Sequence, residues 1–192
     1  MGLDFIIKIG GKEYYMDCPL SNFMLLLKAA MTWSGTPYLS VCEIPTVKDT
    51  SNANCSTTYP YYSSGNYYGY NYAYGQAAAA NDNYGILVGS NDTAVVITDY
   101  ALNTKIAHGN GAGQLAYGTT VLTYGGSGAN KWAKIARTFT NNTANPIDVK
   151  EVGYATKDQG SKYVMITRDV IATYTVPAAD TMPVEIYIRT TA

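Results

Sequence analysis

From residue 84 onward the chain is a succession of short β-branched and aromatic runs: YGILVGS, TAVVITD, QLAYGTTVLTY, NKWAKIARTFT, IDVKEVGYA, KYVMITR and MPVEIYIRTT. Turn clusters separate them, among them GSND, HGNGAG, YGGSGAN, TNNTANP and KDQG. Gly and Asn supply the backbone conformations that reverse a strand, and the β-branched runs fit a pleated, half-buried surface. Short strands at this spacing predict a mainly β protein, an antiparallel β-sandwich or jelly roll. Within 131–139, Lys131, Ala133, Ile135, Arg137 and Phe139 alternate with Trp132, Lys134, Ala136 and Thr138, and neither face is purely apolar. In ITDYALNTKI, Thr98 or Asp99 is a candidate N-cap for a single helical turn.

The N-terminal part reads differently. In LDFIIKIGGKEYYM two β-rich runs flank Gly10-Gly11, a pair able to take the positive φ angles of a two-residue hairpin. A helix is expected over about 20–33, because Phe23, Leu26, Leu27, Ala30 and Met31 recur at helical spacing after Pro19. Met24 and Leu25 widen its apolar face, so Phe23, Met24, Leu25, Leu26, Leu27 and Met31 are expected to pack against protein on more than one side.

Between these parts lies an insertion at about 40–83. Residues 50–81 hold no Asp, Glu, Lys or Arg, and Tyr59, Tyr61, Tyr62, Tyr67, Tyr68, Tyr70, Tyr72 and Tyr74 crowd into one short tract. Tyr, Ser, Gly and Asn together are the composition of protein contact loops, since Tyr offers large amphipathic contact at low entropic cost. These eight tyrosines are the expected contact residues, for a sibling subunit or for a receptor or glycan; the bland alternative is a surface segment folded over its own domain. The whole of 1–192 is read as one domain, with hairpin and helix in 1–35.

Charge narrows the function. Thirteen basic and 14 acidic residues leave a net charge of −1, which is unsuited to neutralising many phosphates, so no nucleic-acid partner is expected. No run of 18 apolar residues suggests a membrane span, and the N-terminus lacks the features of a secretory signal. Cys18, Cys42 and Cys55 form no metal or redox spacing; two of them could pair, and reduced thiols are the default expectation in a cytoplasmic assembly environment. The sequons at Asn54, Asn91 and Asn141 are expected to be silent.

Catalytic patterns are thin. The single histidine, His108, has no G-x-S-x-G partner, and a turn histidine bonded to backbone is the stronger reading. Asp148 and Glu151 are three apart in a strand-like run and so are expected on opposite faces, unlike a local glycosidase pair. GNGAGQLAYG is not placed between a strand and a helix and has no Lys-Ser/Thr, so its glycines are read as turns. No cofactor or metal follows, and the expectation is a non-enzyme.

Two stretches carry a resemblance. GILVGSNDTAVVITDYALNTKIAHG resembles the VGTG-x-T-x-V…D-x-x-L…I segment of small β-rich virion proteins of tailed bacteriophages. The stretch from Arg137 to Thr191 is similar to their R-x-FTN…I-x-V-x-EVG…RDV…TV…V-x-Y-x-I ending. The resemblance covers Gly85–Gly109 and Arg137–Thr191, about half the chain, and the 40–83 insertion lies outside it. It implies a non-enzymatic, multi-copy capsid-decorating or tail/neck protein, assembled in the host cytoplasm and located in the virion. Its partners would be other copies of itself and major capsid or tail proteins. The alternative is a tail-fibre or adhesin component that binds a host surface glycan through the Tyr-rich loop.

Overall fold

The computed structural model describes residues 2–15, 46–56, 61–63, 66–68, 75–128, 130–157 and 162–191. The expected helix at 20–33, with Phe23, Met24, Leu25, Leu26, Leu27 and Met31, lies outside them, as do Tyr59, Tyr70, Tyr72 and Tyr74.

The protein is mainly β, and its sheets are antiparallel. Its strands are β1 (Gly2–Ile9), β2 (Lys12–Tyr15), β3 (Thr46–Lys48), β4 (Asn54–Ser56), β5 (Tyr61–Ser63), β6 (Asn66–Tyr68) and β7 (Gly85–Gly89). They continue with β8 (Ala116–Tyr117), β9 (Val121–Ser127), β10 (Asn130–Thr140), β11 (Ile147–Lys157), β12 (Tyr163–Val176) and β13 (Thr181–Thr191). The larger sheet runs β2-β1-β13-β10-β8, and β9 also pairs with β10. The smaller runs β12-β11-β7, while β3–β4 and β5–β6 are separate two-stranded ribbons.

The first hairpin follows from its glycines. Gly10 and Gly11 have φ of 53° and 83°, as a two-residue turn matched to strand twist requires. β1 continues into the sheet by pairing with β13 from Gly2↔Thr191 to Ile9↔Val184. Alternation then selects the core. Ile7 and Ile9 from β1, Met182, Val184 and Ile186 from β13, and Ile135 and Phe139 from β10 are buried in one cluster. Ile86, Val88, Val149, Val152 and Val176 of the smaller sheet belong to the same cluster, giving a sandwich-like arrangement.

The smaller sheet is covered on its other face too. Every residue of β7 is buried, as its uninterrupted GILVG run suits. The segment 90–106 lies over that face and also reaches the free edge of β7, where the Ile106 N–H donates to the Val88 carbonyl and Gly89 bridges Lys105. Gly153 is required by this close approach: a Cβ there would lie 3.0 Å from the Leu102 side chain and 2.8 Å from the Met165 sulfur.

Two sequence expectations need correction here. TAVVITD is not a strand, and 98–107 contains no helical turn; a turn at 97–98 sits in an otherwise irregular segment. The physical reason is the Asp99 carboxylate. It accepts from the Val96 N–H at 3.0 Å and from Arg168 at 2.7 Å, so it folds back on the preceding residues instead of capping a following helix. In the Tyr-rich tract, Tyr61 pairs with Tyr68 and Tyr62 with Tyr67.

Candidate functional site

Of the buried charged side chains, Arg137 lies between the two sheets, and Glu151 and Arg168 lie beneath the segment that covers the smaller sheet. Arg137 is buried on the inward face of β10, and its five N–H groups have only backbone carbonyls as acceptors. Nε donates to Gly118 (2.7 Å), Nη1 to Tyr84 and Ile86 (3.2 and 2.9 Å), and Nη2 to Ala78 and Asn81 (3.2 and 2.5 Å). The guanidinium carbon lies 4.7 Å from the centre of the Tyr117 ring, which meets Phe139 edge-on. Burial lowers the Arg137 pKa to about 10, leaving the side chain charged at neutral pH. Arg137 thus holds the 78–84 turn and the start of β7 onto the larger sheet, filling a guanidinium's whole donor set.

Arg168 is organised by opposite charge. Its Nε donates to Glu151 Oε2 at 2.8 Å, its Nη1 to Asp99 Oδ2 at 2.7 Å and its Nη2 to the Thr93 carbonyl at 2.9 Å. Glu151, itself fully buried, accepts from the backbone N–H groups of Asn103 and Thr104 at 3.1 and 2.9 Å. This network fastens the 93–104 segment over the smaller sheet. Asp148, by contrast, is exposed and accepts from Thr175 at 2.6 Å, so it and Glu151 form no carboxylate pair.

His108 has a backbone role. Its Nδ1 accepts from the Tyr117 N–H at 3.1 Å, and its own N–H donates to Asp82 at 2.8 Å. Asn141 is fully buried; its amide donates to the Asn145 and Val176 carbonyls while its oxygen accepts from Thr143, which leaves its sequon inaccessible to a glycan. Among the described residues no group of three or more His, Cys, Asp or Glu could hold a metal, and no helix is long and apolar enough to cross a membrane.

Large apolar side chains reach solvent at Tyr15 on β2, at Val96 and Ile97 in the segment over the smaller sheet, and as a group at the β9 edge of the larger sheet. Val121, Leu122 and Tyr124 of β9 are 49, 42 and 85 % exposed, and Trp132 beside them on β10 is 36 % exposed. Residues 109–130 contain no Asp, Glu, Lys, Arg or His. The opposite edge, β2, presents Lys12 and Glu13, and Glu13 pairs with Lys8 at 2.7 Å. Further along that surface Lys134 pairs with Glu185 at 3.1 Å, and the ammonium groups of Lys8 and Lys134 both lie over the Tyr187 ring.

Sequence reasoning missed this edge. The available signal was the long uncharged run ending in YGGSGAN, overshadowed by the more conspicuous tyrosines. Of those, Tyr61, Tyr62, Tyr67 and Tyr68 lie in the β5–β6 ribbon. Among the described residues the β9 edge is the contact surface whose exposure the structure shows. A shallow groove of about 310 Å³, lined by Ser90, Ile106, Thr143, Asn145, Ile147 and Asp148 among others, offers one ionisable side chain. Comparisons with protein-family models, curated proteins and solved structures found no match to this chain.

Proposed function

We propose that this chain is a non-enzymatic, multi-copy structural protein of a tailed-bacteriophage virion, a capsid-decorating or tail/neck component whose Tyr-rich insertion mediates subunit contacts. The observation that carries the reading is the use made of the resembling motifs. Arg137, Phe139 and Asn141 of R-x-FTN, Glu151 and Gly153 of EVG, Arg168 of RDV, and Asp99 and Leu102 of D-x-x-L all serve packing and loop attachment. Those residues build a rigid scaffold, and the contact surfaces are left to uncharged apolar and tyrosine-bearing segments. A weakly charged exterior of this kind favours association.

Quantitative mass spectrometry of purified particles from an infection carrying this gene provides the test. The expected result is a stoichiometric, multi-copy chain that stays with particles through density-gradient purification; absence from particles overturns the proposal. Deleting residues 56–75 separates the two roles of the tract. Loss of incorporation supports subunit contact, whereas particles that assemble normally but fail to bind cells favour the receptor- or glycan-binding alternative.

A further inference from the structure

We propose that the β9 edge pairs antiparallel with β9 of a second copy, with Thr123 on the two-fold axis, so that two larger sheets become one continuous sheet. This rests on the self-association in the function proposed above and not on the virion assignment.

Among the described residues the backbone sets which groups are free. Lys131 gives its N–H to Thr190 on the β13 side, and Gly118, at the kink between β8 and β9, gives its N–H to Thr138. Strand alternation then directs the even-numbered residues of β10 toward β9, whose partners are Val121, Thr123 and Gly125. Leu122, Tyr124 and Gly126 consequently aim their N–H and C=O groups away from the sheet. Unpaired edge groups invite another strand, and proteins usually blunt such edges with charge, Pro or a cover. β2 carries charge, β7 is covered by 104–106 and the edge next to β9 is met at Thr120 by the Ala77 carbonyl, but β9 itself, Leu122 and Tyr124 included, has no charge and no Pro.

The side chains favour a second copy as the occupant. With Thr123 opposite Thr123 of the other chain, Leu122 falls opposite Tyr124 twice, as hydrogen-bonded pairs whose side chains share one face. On the other face Val121 falls opposite Gly125, where the Trp132 indole already lies: a Cβ on Gly125 would be 2.6 Å from it. One register thus gives partners to Val121, Leu122, Tyr124 and Trp132 together. The uncharged run 109–130 brings the two copies together without like-charge repulsion across the strands. Two-fold pairing uses up the edge on both chains, so the contact closes instead of propagating. It is smaller than the roughly 20–30 residues per side of a standard interface, which suits an association strengthened by high local copy number.

The test uses the full chain. Under mild oxidation Thr123→Cys is expected to give a 123–123 disulfide-linked dimer, identified by peptide mass spectrometry, because directly opposed residues of a non-hydrogen-bonded pair meet disulfide spacing. In sedimentation velocity Leu122→Lys and, separately, Tyr124→Lys are expected to weaken self-association at least tenfold, with near-UV circular dichroism used to select whichever variant is natively folded. Self-association that survives these changes, with no 123–123 link, overturns the edge pairing while leaving self-association through another surface intact. A wild-type chain that stays monomeric up to millimolar concentration overturns both.

Discussion

Arg137 and Arg168 are both buried cations that pin an irregular segment to a sheet, yet their surroundings differ. Arg168 is met by two carboxylates, Glu151 and Asp99, and one carbonyl. Arg137 is met by five carbonyls and no carboxylate. The first site balances charge with charge; the second surrounds a charge with oriented dipoles that would otherwise be buried without partners. Segments 75–84 and 90–106 supply few strand hydrogen bonds of their own, and a buried backbone needs partners for its polar groups. For 75–84 the Arg137 guanidinium supplies what a neighbouring strand would have supplied; for 90–106 the Glu151 carboxylate and Arg168 supply it together.

The sharpest break in this comparison is Arg168→Met, which leaves the buried Glu151 carboxylate and the partly exposed Asp99 without their cation. Removing one partner of a buried pair costs about 3–5 kcal/mol, and at about 2–4 °C per kcal/mol for a chain of this size the melting temperature should fall by roughly 6–20 °C. Calorimetry checks this, and a loss of only a degree or two would mean that Glu151 and Asp99 find other partners.

Arg137→Lys should cost less, about 2–3 kcal/mol. Charge is kept, but three donors replace five and some carbonyls lose their partner. Chemical denaturation measures the loss, and hydrogen exchange should show faster opening of 78–86 than of 93–104.

The smallest expected effect tests the reverse situation, an anion held largely by polar donors. Burial pushes the Asp49 carboxyl up, but hydrogen bonds from Ser51, Ala53 and Lys162 outweigh it and hold the pKa at about 2. A depressed carboxylate contributes stability that is fully present above its ordinary pKa of 3.8 and is lost as pH falls through about 2. Thermal melts from pH 6 down to pH 2 should show a contribution of about 1–2 kcal/mol disappearing over that window, and Asp49→Asn should remove this pH dependence.

Local rules explain the parts of the fold that were legible. Gly10-Gly11 announced the first hairpin because only a few residue pairs suit that turn, and the alternation of 131–139 announced a strand but not its inward face, since Lys131 and Arg137 sit among its odd positions. TAVVITD misled because β-branched composition reports propensity, whereas the path of 93–99 is set by Arg168, far along the chain. Glu151 and Asp99 could be recognised as charged but not as a pair, since sequence spacing says nothing about which strand lies beside which. For the candidate contact surface, the tyrosines were visible by composition. The β9 edge became visible only with sheet order, because edge position is a property of topology and not of the seven residues themselves.

The position of β1 has a consequence for the nascent chain. β1 lies between β2 and β13, so a strand complete by Ile9 waits for a partner that begins at Thr181. At translation rates of about 5–20 residues per second the wait is on the order of 10–30 s. During it, Ile7 and Ile9 lack the β13 residues Ile186 and Val184 against which they finally pair. The larger sheet can close only once β13 has been made, and β10, which carries β9, needs the same strand on its other side. Chains truncated before β13 therefore cannot complete the surface that carries the β9 edge. The making of β13 is thus the step on which the surface carrying β9 depends.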